Sequence, residues 1–255
     1  MGTASFDYSG QVVLVTGGTR GVGRVIAHRF EQAGATVIVC ARSMGDDPVP
    51  TSWSFLAADL RDGDQASATI DAVVATHGRL DVVINNAGGA PPVDTSTAPH
   101  RLTERIVALN LLAPMFVSQH ANRVMQAQAH GGVIVNIGSV AGRRAAPTAA
   151  AYAAAKAGLE NFTMTAAQEW APKVRVNSLV IGLIGTDQAL DHYGDEASVA
   201  RIERTIPAGR LARPDDVANA CLFLASSSAG YVTGAALVMH GGGDRPAYIG
   251  ALEQT

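Results

Sequence analysis

Cysteine is nearly absent. Only Cys40 and Cys221 occur in 255 residues, far apart and each inside an apolar segment. A disulfide framework is excluded, and each reads as a small apolar core residue. Charge is sparse too: 22 acidic and 19 basic residues are scattered without a run of either sign, for a formal net charge of -3. Neither a polybasic nucleic-acid surface nor a basic membrane-binding helix is expected. No apolar run approaches the ~20 residues that span a bilayer. The opening MGTASFDYSG lacks the positive start and apolar stretch of a secretory signal, so the chain is expected to stay in the cytoplasm. The seven histidines show no His-x-x-x-His or other ligand spacing, so no catalytic metal is expected. Lysine is as scarce as cysteine, Lys156 and Lys173 standing against seventeen arginines.

What is present is apolar and glycine-rich. Hydrophobic residues make up 47% of the chain, enough for an ordered core. Runs rich in β-branched residues occur at 11–16 (QVVLVT), 36–41 (TVIVCA), 52–58, 81–85, 132–138 (GVIVNIG), 173–179 (KVRVNSL) and 236–240. They read as buried parallel strands. Between the first two, Val22, Val25, Ile26, Phe30 and Ala33 fall at helical spacing, and Gly34 follows as a stop. Repeated βαβ units predict a Rossmann-type, doubly wound parallel sheet of seven strands with helices on both faces. No linker or repeat divides the chain. One domain is therefore expected over 1–255, with a core at 10–245 and a C-terminal tail at 246–255.

Ligands of such sheets bind at the carboxyl ends of the strands. The loops there are 16–23, 88–100, 139–150 and 183–207. The first, Thr16-Gly17-Gly18-Thr19-Arg20-Gly21-Val22-Gly23, leaves a strand and opens a helix. Missing side chains let the backbone approach a pyrophosphate, and the helix N-terminus attracts its charge. A tight turn without ligand is the plainer alternative.

The chain resembles the single-domain short-chain dehydrogenase/reductase family. The resemblance rests on the glycine pattern, on Asn85-Asn86-Ala87-Gly88 after the fourth strand, on Ser139 ending the fifth, and on Tyr152-x-x-x-Lys156 thirteen residues further on. It covers nearly the whole chain. It implies an NAD(P)-dependent oxidoreductase acting on CH-OH groups, commonly a homotetramer or homodimer. It also implies a catalytic tetrad of Asn110, Ser139, Tyr152 and Lys156. Cofactor contacts are implied from Gly17, Thr19, Arg20, Gly21, Val22 and Gly23, from Asp59 and Leu60, and from Asn86, Ala87 and Gly88. Tyr152, Lys156, Ile184 and Thr186 complete them.

The chemistry of these residues agrees. Tyr152 and Lys156 share one face of a helical segment at 149–170. A phenol of ordinary pKa ~10 is a poor base near neutrality, and the Lys156 ammonium together with the cofactor's positive nicotinamide ring is expected to lower it. Tyr152 then exchanges a proton with the carbonyl or alcohol oxygen while Ser139 holds that oxygen. A serine hydrolase is disfavoured because the nucleophile elbow needs Gly-x-Ser-x-Gly, and residue 137 is Ile. Asn110 lies in a helical stretch at 102–124, four residues before Pro114. Proline has no N–H for the Asn110 carbonyl, which is left able to accept from water; in the family that water links to the lysine. Ile181-Gly182 stands where the family often has Pro-Gly. Asp59 matches the family's adenine-contacting aspartate, though a bare helix cap would look the same.

Cofactor choice is expected to favour NADP(H) over NAD(H). The second strand ends Val39-Cys40-Ala41-Arg42-Ser43, with Ala41 where an NAD enzyme usually offers a carboxylate. Arg42 and Arg20 are placed to meet a ribose 2'-phosphate, unless Asp46 or Asp47 folds back on them. The expected reaction interconverts a small-molecule carbonyl and a secondary alcohol. One alternative is a 3-oxoacyl-(carrier protein or CoA) reductase, with Arg143 and Arg144 meeting the carrier. Another is a non-catalytic dinucleotide-sensing or scaffold protein, against which the intact Ser139, Tyr152 and Lys156 argue. The stretch 183–207 mixes Leu190, Tyr193, Ile202 and Ile206 with Asp191, His192, Asp195 and Glu196, and selects no substrate. The tail at 244–255, carrying Tyr248, Ile249 and Leu252, is expected to pack on a neighbouring subunit or over the substrate cleft.

Overall fold

In the computed structural model, residues 5–45, 47–186 and 193–243 are described; Leu190, Asp191, His192 and the C-terminal tail lie outside them. Seven strands form one sheet: β1 (Val12–Thr16), β2 (Thr36–Ala41), β3 (Ser54–Ala57), β4 (Val82–Asn85), β5 (Gly132–Ser139), β6 (Val174–Ile181) and β7 (Ala236–Met239). Every pairing is parallel, in the order β3-β2-β1-β4-β5-β6-β7. The strands fall within two residues of the expected bounds. The helices are α1 (Gly21–Gln32), α2 (Gly63–His77), α3 (His100–Val107), α4 (Ala113–Ala127), α5 (Ala150–Trp170), α6 (Glu196–Glu203) and α7 (Pro214–Ala225).

The continuous apolar runs are explained by burial on both faces. Because side chains alternate along a strand, Val13, Val15, Val37 and Val39 pack with Ile26 and Phe30 of α1 and Val217 and Cys221 of α7. Their neighbours Leu14 and Ile38 pack on the other face with Ile70 and Val73 of α2 and Val117 and Met125 of α4. Both cysteines are buried and unpaired, as expected, and burial pushes the Cys40 thiol up to about 12. Lys173 caps α4, its ammonium donating to the carbonyls of Gln126 at 2.7 Å and Gln128 at 3.0 Å.

Two expectations are corrected. The stretch 183–207 is not irregular throughout: α6 begins after Asp195, whose carboxylate accepts from the Ser198 N–H at 2.8 Å and so satisfies a helix-terminal donor. The stretch around Asn110 is not one kinked α-helix. Residues Ala108–Leu112 form a π turn in which the Ala113 N–H reaches back to the Ala108 carbonyl, accommodating Pro114 at the start of α4. Ile181, where the family often has proline, is the last residue of β6 and pairs with Ser139 and Met239.

Asp62 caps α2, accepting from Asp64 N at 2.9 Å and Gln65 N at 3.3 Å. Asp62→Ala is expected to cost about 1 kcal/mol in a urea melt; an unchanged midpoint would refute the cap's contribution.

Candidate active site

The β1–α1 turn is built around backbone. Gly17 has φ 64°, and a Cβ on Gly23 would stand 2.3 Å from the Gly17 carbonyl oxygen and 2.4 Å from Asn86 Nδ2. No side chain fits at either position. The turn is braced from β4: Asn86 Nδ2 donates to Thr16 O at 2.9 Å, while Thr16 Oγ1 accepts from the Asn86 and Ala87 N–H groups at 3.0 and 2.9 Å. Asn85 lies beneath, its amide donating to Ser118 Oγ at 2.9 Å and Asn136 Oδ1 at 2.8 Å; Asn136 in turn donates to Thr163 Oγ1 at 2.9 Å. This buried polar ladder tying β4 and β5 to α4 and α5 was not anticipated from sequence, because each member looks like an isolated polar residue in an apolar run.

Helix α1 differs from α2 and α6 in having Arg20 at its N-cap, no side-chain cap and no acidic residue in its first turn. Its first N–H groups are thus left for an anion. They face a cavity of about 650 Å³ over the carboxyl ends of β1 to β4. Among the expected residues it is lined by Gly17, Thr19, Arg20, Gly21, Val22 and Gly23, by Arg42, Asp59 and Leu60, and by Asn86, Ala87, Gly88 and Thr186. The uncapped helix and a cradle that a Cβ would fill fit a dinucleotide pyrophosphate. Ile184 is not on this wall. It makes a β-bridge with Ala212, because its backbone is taken up by the chain returning from α6.

Two questions about charge are settled by pairing. Asp47 does not reach Arg20 or Arg42: its carboxylate lies 3.1 Å from Arg24 Nη2, and its carbonyl accepts from Arg24 Nη1 at 2.9 Å. Asp46 lies outside the described residues. Asp59 is not a helix cap, that place being held by Asp62. Its carboxylate is clamped by Arg61, which was not anticipated and lines the same cavity. The guanidinium of Arg61 holds the Asp59 carboxyl below the usual carboxylate range.

Ser139, Tyr152, Lys156 and Asn110 do not line this cavity, although Tyr152 and Lys156 were expected among the cofactor contacts; Asn110 and Lys156 lie behind Gly88, which does line it. The Ser139 hydroxyl accepts from the Ala141 N–H at 3.2 Å and lies close enough to the Tyr152 phenol to pull its pKa down. Lys156 is buried; its Nζ donates to the Ile137 carbonyl at 2.7 Å and stands 5.7 Å from the centre of the Tyr152 ring. A Cβ on Gly88 would be 2.8 Å from Asn110 Oδ1 and 3.4 Å from Lys156 Nζ, which places the Asn-Asn-Ala-Gly loop between them. The Asn110 side chain is fully used in holding that loop, exchanging bonds with Gly89 O and Gly89 N, both at 2.9 Å, and donating to Ile106 O at 2.9 Å.

Within the protein itself the Tyr152 phenol is raised. Burial raises it above its ordinary value, the Ser139 bond lowers it, and nearby Tyr193 raises it further. The same burial depresses Lys156 to about 8, since a low-dielectric site disfavours whichever form is charged. A consequence for stability follows. The folded protein gives up the Lys156 proton near pH 8 and the unfolded chain only near 10.5, so the unfolded state binds more protons between them and stability rises with pH in that window. Relative to Lys156→Met, the wild type should gain about 3 kcal/mol from pH 8 to pH 10.5. Urea melts of both proteins across that range test it; a constant difference would refute the shift.

A second cavity, about 470 Å³, opens over the carboxyl ends of β5 to β7 and is lined by Val140, Arg143, Arg144, Gly182, Leu183, Ile206, Val238, His240 and Gly243. It begins one residue beyond Ser139. Arg143 is paired there with Glu160 of α5, donating from Nε at 2.9 Å and Nη2 at 2.6 Å.

Comparison with known proteins agrees with this geometry. The family described as Enoyl-(Acyl carrier protein) reductase matches residues 17–243. The chain is 36% identical over 235 residues to an uncharacterized oxidoreductase of Schizosaccharomyces pombe, covering 91% of this chain and 90% of that one. It is 34% identical over 246 residues to the 3-oxoacyl-[acyl-carrier-protein] reductase of Escherichia coli, covering 92% and 98%. The solved structure of Thermoplasma acidophilum aldohexose dehydrogenase superposes with a TM-score of 0.87 at 30% identity, over 94% of this chain and 96% of that one. With the glycine turn, the Ser139–Tyr152–Lys156 cluster and the sheet order in place, these likenesses identify the chain as a member of the short-chain dehydrogenase/reductase family.

Proposed function

We propose that the protein is an NADP(H)-dependent oxidoreductase that reduces a small-molecule carbonyl to a secondary alcohol, with Tyr152 as general acid. Family membership already makes it an NAD(P)-dependent oxidoreductase acting on CH-OH groups. The observation that carries the reading is a Tyr152 phenol within reach of Ser139, with the buried Lys156 ammonium 5.7 Å from its ring.

The bound nicotinamide would supply or accept the hydride. The glycine turn and the N-terminus of α1 would hold its pyrophosphate, and Arg20 and Arg42 its 2'-phosphate. Because burial keeps Tyr152 protonated at neutral pH, it is ready to give its proton to a carbonyl oxygen. Ser139 donates a hydrogen bond to that oxygen and stabilises the charge gathering there. Lys156, with a pKa of about 8, is still mostly cationic at pH 7 and holds the electrostatic field in which the phenol loses its proton. Asn110 fixes the Gly88–Gly89 backbone beside Lys156. The second cavity is the place for the rest of the substrate.

Similarity to the Escherichia coli reductase favours a second reading, a 3-oxoacyl-carrier reductase. Against it, Arg143, one of the two arginines available to an acidic carrier, is neutralised by Glu160.

A panel of ketones, sugars and acyl thioesters assayed with NADPH and NADH tests both readings. We expect reduction of at least one simple carbonyl and a higher kcat/KM with NADPH. A preference for NADH would refute the cofactor assignment, and turnover confined to thioesters would favour the second reading.

A further inference from the structure

The cavity lined by Arg20 and Arg42 also holds a carboxylate. Asp59 follows β3, and a bare aspartate beside a ribose 2'-phosphate would repel it and compete for the same guanidinium groups. Asp59 is not bare. Arg61 Nε donates to Asp59 Oδ1 at 2.8 Å and Oδ2 at 3.1 Å, Arg61 Nη2 bonds Oδ2, and the Arg61 N–H donates to Oδ1 at 3.2 Å. The Asp59 N–H is itself held by Gln65 Oε1 at 2.9 Å. Such a fork-to-fork pair fixes direction as well as charge. Arg42 is close enough to act on Asp59 electrostatically, yet among the described residues its side chain makes no hydrogen bond. Two arginines thus stand near one carboxylate, and Arg61 occupies it.

Resting on the NADP(H) reading, we infer that Arg61 is a positioning residue for cofactor choice: by holding Asp59 in a bidentate pair it leaves Arg42 available to a 2'-phosphate. Without Arg61, Asp59 would turn to Arg42, and the phosphate would have to displace it against like-charge repulsion. Arg61 therefore matters for the phosphate and little for the adenosine.

Calorimetric titration with adenosine 2',5'-bisphosphate and with 5'-AMP tests this without turnover, since neither probe carries a nicotinamide. The wild type should prefer the bisphosphate. Arg61→Met should weaken the bisphosphate about tenfold, the scale of one charge interaction near the surface, and 5'-AMP less than about twofold. Normal 5'-AMP binding also reports that the variant is folded. Asp59→Asn/Arg61→Met should restore the wild-type ratio of bisphosphate to 5'-AMP affinity, and Asp59→Asn alone should keep that ratio at or above the wild-type value, 5'-AMP registering any loss of an adenine contact. Equal weakening of both probes, no change in Arg61→Met, no restored ratio in the double variant, or a lowered ratio in Asp59→Asn would each overturn the inference while leaving the NADP(H) reading intact. A wild type that does not prefer the bisphosphate would overturn both.

Discussion

Tyr152→Phe is expected to lower kcat about 10³-fold while leaving NADPH binding unchanged, because it removes one hydroxyl and hardly any volume. The phenol is held protonated at pH 7 by burial, within reach of Ser139 and on the same helix as Lys156. Ser139 alone would still polarise the carbonyl, which is why some turnover should survive. The direction of the phenol's shift adds a second readout. Reduction uses the protonated phenol, so wild-type reduction should hold its rate through neutral pH. Alcohol oxidation needs the phenolate, so its rate should climb with pH. Steady-state kinetics in both directions, with cofactor affinity measured by fluorescence titration, check these outcomes. Wild-type turnover in Tyr152→Phe would remove Tyr152 from the mechanism, and lost NADPH binding would make its role structural.

Replacing Arg20 and Arg42 together by glutamine should cost about 10²-fold in kcat/KM for NADPH and leave NADH within a few-fold. Each charge-assisted bond to a phosphate contributes ~1.5 to 3 kcal/mol, and both arginines are exposed, so solvent screening places the sum at the low end. The alternative in which Asp47 neutralises them is removed by its pairing with Arg24. The NADPH value should also fall steeply with added salt in the wild type and only weakly in the variant. A parallel loss for both cofactors would mean that the arginines shape the turn at the N-terminus of α1 instead of reading a phosphate.

Much of this was legible in the chain because it depends on neighbours in sequence. Unbroken β-branched runs between helical spacings imply a parallel sheet covered on both faces. Thr16 to Gly23 can only be a backbone-lined turn, and two residues four apart on a helix share a face whatever surrounds them. Those local periodicities placed Tyr152 beside Lys156, and Pro114 four residues from Asn110. The remaining features depend on groups brought together from distant elements, and no spacing encodes them. Whether Asp47 turns to Arg42 or Arg24 is decided by where α1 runs past the loop after β2. The Asp59–Arg61 pair, by contrast, is local: Asp59 meets Arg61 two residues on because Asp62 takes the cap, a choice the residue types alone left open. The upward shift of Tyr152 and the depression of Lys156 to about 8 come from desolvation where their helix, α5, packs on the sheet, a property of the packed interior that no single residue carries. Sequence determined which groups are present and on which element; desolvation and long-range pairing, which exist only once the sheet has closed over them, decided their charge.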